Sequence, residues 1–198
     1  MNIAVFASHN GSDLQAIIDA CKTGVLDAVV CAVLSNNAGA RALRRAKEAG
    51  IDNYYISEKK YGSEENLQKE ILHILDAHDT DIIFLAGYLK RMGREVLRKY
   101  HNRVYNIHPA LLPRYGGEGM YGMNVHQAVI EAGDSVSGIT IHKANEEYDQ
   151  GEIVAQTTVS VLPDDTAESL AARILEREHT FIVEVLKLII DCRSGQKA

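Results

Sequence analysis

Asn106 and His108, two apart at the end of the run Arg103-Val104-Tyr105, are the residues whose types and spacing most directly suggest chemistry. In an extended run both would project from the same face, and Pro109 would then end the pairing. An amide donor beside an imidazole at the mouth of a strand can hydrogen-bond an oxygen that becomes negative as a carbonyl is attacked, which suggests acyl or formyl transfer. An ordinary strand with locally satisfied Asn and His would read the same way. Asp149, in the turn Asp149-Gln150-Gly151, is the carboxylate available to orient or protonate the imidazole. Beside His108 it would raise that residue's pKa by favouring the charged form.

Positioning these residues requires a sheet. Ile3 to Ala7 reads as a buried parallel strand, Ser8-His9-Asn10-Gly11-Ser12 as a turn, and Ser12-Asp13-Leu14-Gln15 as a capping box opening a helix with Leu14, Ile17, Ile18 and Cys21 inward. Such a junction offers backbone N–H groups and the positive end of a helix dipole to a phosphate, although a merely capped helix has the same sequence features. Strand, helix, strand and helix follow over Ala28–Leu34, Ala38–Ala49, Tyr54–Ile56 and Glu64–Ala77. Asp81–Ala86 is a continuous apolar run suited to a central strand covered on both faces, and Gly87 ends it. A helix over Arg94–Tyr100 precedes the Asn106 strand, and a Gly-rich loop from Pro113 to Met123 follows. Asn124–Ala132 reads as helix, Ser137–Lys143 and Glu152–Val161 as an antiparallel pair, and Thr166–Ile190 as the last helix. Its apolar stripe, Ala171, Ile174, Phe181, Val185 and Ile189, passes through Glu178, either a residue at the stripe's edge or one held for a ligand. The expected fold is α/β: one Rossmann-like domain, a mostly parallel twisted sheet with helices on both faces and a C-terminal antiparallel hairpin. Ligands bind such sheets at the carboxyl ends of the strands, so Gly11-Ser12, Gly87-Tyr88-Leu89 and Asn106-Ile107-His108 are expected to share one crevice.

Composition limits the partners. With 198 residues, 46% hydrophobic and 24% charged, the chain has the length and balance of one globular domain, and no apolar run approaches a membrane span. A net charge of −6 argues against a nucleic-acid surface. The local exception is Lys90, Arg91, Arg94, Arg98, Lys99 and Arg103 against Glu95, which would suit either an anionic ligand tail or a solvated helix face. Cys21, Cys31 and Cys192 lack metal-type spacing and fit reduced thiols in the cytoplasm, where an N-terminus without a basic leader also points.

Ser8-His9-Asn10-Gly11-Ser12-Asp13-Leu14-Gln15, Leu85-Ala86-Gly87-Tyr88, Asn106-Ile107-His108-Pro109-Ala110-Leu111-Leu112-Pro113 and Asp149-Gln150-Gly151-Glu152-Ile153 together resemble the folate-dependent formyltransferases over nearly the whole chain. The Gly-Ser-x-Leu-Gln opening resembles the branch that serves purine synthesis. That resemblance implies a formyltransferase domain over 1–190, with 191–198 a loose tail. It implies transfer of the formyl group of 10-formyltetrahydrofolate to the amine of 5′-phosphoribosylglycinamide, without a metal. A sugar-nucleotide formyltransferase and a formyltetrahydrofolate hydrolase are the alternatives. A tRNA-directed member would be expected to add a basic C-terminal domain.

Residue by residue, the resemblance makes Asn106, His108 and Asp149 catalytic, with Asp149 keeping His108 protonated. It places the substrate on Gly11, Ser12, Asp13 and Glu178. Folate is assigned to Leu89, Lys90, Arg91, Met92 and Asn106, with Asn145, Glu146, Glu147 and Tyr148. His142 and His126 are assigned supporting or structural roles, Leu112–Pro113 a cis bond, and the molecule a monomeric or homodimeric state. Three positions depart from the pattern: Asp13 replaces a typical Asn, Glu64 replaces an Arg that serves the folate tail, and the loop Gly116–Met123 is longer. That tail contact is therefore expected at Lys90, Arg91 or Arg94.

Overall fold

The structure is a computed structural model that describes residues 1–195. Short apolar runs form the central strands β1 (Asn2–Phe6), β2 (Val29–Ser35) and β4 (Ile82–Leu85), with β3 (Asn53–Tyr55) at one edge. β5 (Val104–His108), β6 (Val136–Lys143) and β7 (Ile153–Ser160) complete a seven-stranded sheet in the order β3-β2-β1-β4-β5-β6-β7. β1 through β5 pair in parallel, while β6 runs antiparallel to both β5 and β7. The expected hairpin is therefore part of the main sheet.

Alternating side chains split the core between the two faces, because neighbours along a strand point oppositely. Ile3 and Val5 pack beneath α1 (Ser12–Lys22), α2 (Arg41–Glu48), α6 (Met123–Glu131) and α7 (Ala167–Gly195). Ala4 and Phe6 pack on the other face against α4 (Glu64–Ala77) and α5 (Arg94–Lys99). A four-residue helix, α3 (Glu58–Tyr61), precedes α4 and was not expected; Ser57 caps it by accepting from the Lys60 N–H.

Two details correct the sequence reading. The first helix has no capping box: Gly11 is its N-cap, at φ 68, and no side chain caps it. Gln15 instead accepts from Arg45 at 3.0 Å and donates to Asp19 at 2.9 Å. A glycine suits the position because an added Cβ would meet the Cβ of Ala42 at 2.8 Å in a left-handed backbone. The expected tail at 191–198 also differs. Helix α7 continues through Gly195, and Arg193 anchors it by donating to the Asn102 carbonyl at 2.7 Å and to the Tyr105 hydroxyl at 3.2 Å. Residues 196–198 lie outside the described residues.

Candidate active site

Strand order reverses between β1 and β4, and the turns leaving these strands are tied together. The Ser8 N–H donates to the Gly87 carbonyl at 3.1 Å, and the Ser8 hydroxyl accepts from the Leu89 N–H at 2.9 Å. Beside this switch point, where parallel sheets bind ligands, lies a cavity of about 530 Å³. β4, β5, β6, α6 and α7 or the loops adjoining them contribute to its wall.

Asn106 and His108 reach the cavity from the last turn of β5, and the segment that follows is pinned. The Thr140 hydroxyl donates to the Ala110 carbonyl at 2.6 Å and accepts from the Leu112 N–H at 3.1 Å. Gln156 donates to the Leu112 carbonyl at 3.0 Å, and the Leu112–Pro113 bond is cis as expected. The antiparallel strands thus fix the backbone immediately after Asn106 and His108.

His108 is 4% exposed, and both ring nitrogens face acceptors. Nε2 lies 2.7 Å from the Tyr115 carbonyl, while Nδ1 lies 3.5 Å from Asp149 Oδ2. A carbonyl only accepts, so Nε2 carries the hydrogen. Asp149 sits at φ 57, with Gly116 packed so closely that a Cβ there would come within 3.1 Å of the Asp149 Cβ. Its Oδ2 accepts from the Gly117 N–H at 3.0 Å, and its Oδ1 lies 3.4 Å from Asn106 Nδ2. The same amide nitrogen is 3.0 Å from His142 Nε2.

These surroundings overturn one electrostatic expectation. Burial lowers the His108 pKa below the usual imidazole value and outweighs the opposing pull of Asp149 and the Tyr115 carbonyl. The imidazole is therefore not held protonated in the resting site. Burial works against the Asp149 carboxylate too, but its pKa still lies below the usual carboxylate range, helped by the hydrogen bond from the Gly117 N–H.

The profile of the formyl transferase family matches residues 1–186. This chain belongs to that formyltransferase family. The phosphoribosylglycinamide formyltransferase of Escherichia coli is 37% identical over 193 residues, which cover 98% of this chain and 89% of the relative. The chloroplastic phosphoribosylglycinamide formyltransferase of Arabidopsis thaliana is 40% identical over 192 residues, 96% of this chain but only 66% of the relative. The crystal structure of glycinamide ribonucleotide transformylase 1 from Symbiobacterium toebii superposes with a TM-score of 0.90 at 35% identity, covering 98% of this chain and 89% of that one.

In this formyltransferase the cavity gathers most of the expected residues. Asn106, His108, Asp149, Leu89, Lys90, Arg91, Met92, Asn145, Glu147 and Tyr148 all line it, and Arg91 stacks over the Tyr148 ring at 4.6 Å. Glu146 does not line it, because its carboxylate is turned to Arg94 at 2.9 Å. Arg94 is thereby spent, as are Arg98 on Glu95 and Lys99 on Asp76, so half of the basic run is a paired surface while Lys90 and Arg91 stay on the cavity wall. Glu64 accepts from Gln68 at 3.2 Å and is likewise outside the cavity.

At the opposite end Asp13 and Glu178 line the wall, but Gly11 and Ser12 do not. Asp13 and Glu178 are 9% and 8% exposed, so Glu178 is not an edge residue of its helix. Burial, opposed by His179, pushes the Asp13 carboxyl up to about 6. Burial and the charge of Asp13 push Glu178 well above the carboxylate range. Asp13 Oδ1 has no hydrogen-bond partner and lies 3.7 Å from His179 Nε2, which also lacks one.

Sequence reasoning missed the Tyr115 carbonyl, the Gly117 N–H and the loop residues Met120 and Tyr121 on the cavity wall. Only the glycines at 116, 117, 119 and 122 hinted that this backbone comes close to something. Among the described residues no group of three or more His, Cys, Asp or Glu side chains is arranged to hold a metal ion. Among them also no helix is long and apolar enough to cross a membrane.

Proposed function

We propose that this formyltransferase moves the formyl group of 10-formyltetrahydrofolate to the amine of 5′-phosphoribosylglycinamide, a step of cytoplasmic purine synthesis and one-carbon metabolism. The observation that carries the reading is the convergence of Asn106, His108 and Asp149, from two separate segments, on one large cavity. The names of relatives matched over nearly the whole chain support the choice of acceptor.

The chemistry follows from the hydrogen-bond partners. With the Nε2 hydrogen given to Tyr115, His108 Nδ1 is the nitrogen free to take a proton as the amine attacks the formyl carbon. Asp149 then stabilises the imidazolium that forms. One hydrogen of Asn106 Nδ2 is held by His142 at 3.0 Å; the other, only 3.4 Å from Asp149, is the one to turn toward the new oxyanion. Collapse of the tetrahedral intermediate breaks the bond to the folate nitrogen, which receives the proton back from His108.

Leu89, Lys90, Arg91 and Met92 with Asn145, Glu147 and Tyr148 receive the folate. Glu178 takes the ribose hydroxyls, and the free N–H groups at Gly11, Ser12 and Asp13 take the phosphate. Glu146 leaves the set. The test is a spectrophotometric assay with 10-formyl-5,8-dideazafolate and, separately, glycinamide ribonucleotide, an amino sugar nucleotide and no acceptor. The expected result is rapid turnover with glycinamide ribonucleotide alone. Turnover that needs no acceptor would make the protein a hydrolase, and preference for the amino sugar would replace the acceptor.

A further inference from the structure

His142 is 2% exposed and stands directly opposite Asn106 in the antiparallel register of β5 and β6. Its Nδ1 lies 3.0 Å from the carbonyl of Lys143, and its Nε2 lies 3.0 Å from Asn106 Nδ2. A carbonyl oxygen has no hydrogen to give, so Nδ1 must carry one. In a neutral ring Nε2 then bears a lone pair, and only the nitrogen edge of a carboxamide can satisfy it. The opposite tautomer would donate from Nε2 to Asp149 Oδ1, 3.5 Å away, and would set the Nδ1 lone pair against the Lys143 carbonyl. That arrangement loses the shorter contact and creates a repulsion in a buried place.

The carbonyl that fixes the ring is itself fixed. A Cβ at Gly151 would fall 1.6 Å from the Lys143 oxygen and 3.4 Å from His142 Nδ1, so only a glycine lets the strand ends approach this closely. The Lys143 N–H also donates to the Glu152 carbonyl at 2.9 Å. A path of contacts thus runs from the glycine two residues after Asp149, through the Lys143 carbonyl and the His142 ring, to the amide of Asn106.

We infer that His142 is a positioning residue that sets the polarity of the Asn106 carboxamide. It takes one hydrogen of Nδ2 and leaves the other for the oxygen of the formyl group. A flipped amide would set its oxygen against the His142 Nε2 lone pair, and against Asp149 Oδ1 at the longer distance of 3.4 Å, and would offer the oxyanion an oxygen. The inference rests on the proposed formyl transfer for its kinetic arm and on the hydrogen bonds alone for its spectroscopic arm.

The spectroscopic arm is a long-range ¹H–¹⁵N NMR spectrum of the uniformly ¹⁵N-labelled protein, with the His142→Gln spectrum used for assignment. The expected result is a neutral ring protonated at Nδ1 and bare at Nε2. An imidazolium, or a hydrogen on Nε2, would overturn the proposal whatever the enzyme's acceptor is. In the kinetic arm His142→Leu is expected to lower kcat by about 10-fold to 10²-fold, the scale of one buried hydrogen bond, with both KM values within about two-fold. His142→Gln, whose Oε1 can accept where Nε2 did, is expected to retain most of kcat. Placed in an Asn106→Ala background, His142→Leu should add less than about three-fold, because the amide it orients is gone. A full additive loss there, or a Gln variant as slow as the Leu variant, would show that His142 only supports the fold. Absence of transfer to any acceptor in the wild type would instead reject the proposed reaction and leave the NMR result to decide the orientation.

Discussion

His108 has two ring nitrogens and two acceptors beside them, yet burial keeps it neutral, and that combination determines how it can act. Nε2 is committed to the Tyr115 carbonyl at 2.7 Å, so in the proposed transfer the proton passes through Nδ1 on the Asp149 side. The proposed reaction uses the neutral ring, and burial displaces the His108 pKa downward. Activity should therefore fall as pH drops, as His108 takes up a proton before substrate arrives, with a midpoint below the ordinary imidazole value of about 6.5. Asp149 is one of the groups pulling that pKa upward, so Asp149→Asn should shift the remaining acid limb lower still. A pH profile of kcat/KM for the wild type and the variant checks both statements; a rate that rises on acidification through this range would contradict them. Asn106 and His108 were readable in the sequence because a two-residue spacing in a strand fixes a shared face, and Asp149 because it stands in a turn. Tyr115 and Gly117 were not, since they act through backbone atoms that every residue possesses. The sign of the His108 shift was also beyond sequence, because it depends on how deeply the ring is buried.

Helices α1 and α7 meet at Asp13, Glu178 and His179, where the buried Asp13 carboxyl lies beside His179 and its charge acts on the buried Glu178. A carboxyl raised to about 6 from its ordinary 3.8 binds more protons in the folded than in the unfolded chain between those values. Stability contributed at this position is therefore lost as pH rises through that window, and the penalty is complete above it. Asp13→Asn should stabilise the protein at about pH 7.5 by on the order of 2–3 kcal/mol, and by clearly less at about pH 5. Urea unfolding at the two pH values measures the difference; an equal gain at both would show that Asp13 is not the titrating group. The start of α1 makes a second prediction. Gly11→Ala combines a left-handed backbone with a Cβ 2.8 Å from that of Ala42, and should cost about 2 kcal/mol or more in the same assay. An unchanged midpoint would mean that the turn relaxes freely. Most elements were legible within a residue or two from apolar periodicity, as in α4, where both ends fall as expected. The capping box was misread because Ser12 and Gln15 match its pattern while the chain approaches α2 more closely than a side-chain cap requires. Sequence also could not show that Glu146 would be drawn away from the cavity by Arg94.

At the scale of the whole molecule, a sheet whose strand order reverses between β1 and β4 opens a crevice, and β6 with the loop that follows it walls one side. Part of the remaining cover is the glycine-rich loop, with Gly117, Gly119 and Gly122 all at positive φ and on the cavity wall. Amide exchange over residues 116–122 should slow when folate and acceptor analogues are bound together, as read by mass spectrometry; unchanged exchange would mean that the loop does not close on them. The most direct test of the account supplies ¹³C-formyl donor and glycinamide ribonucleotide to the wild type and to folded Asn106→Ala, His108→Ala and Asp149→Ala variants, and measures the labelled product by mass spectrometry. The account predicts labelled formylglycinamide ribonucleotide from the wild type and about 10²-fold to 10⁴-fold slower formation from the His108 and Asp149 variants, with a marked loss for Asn106. Wild-type rates from either of the first two, or label appearing only as free formate, would contradict it.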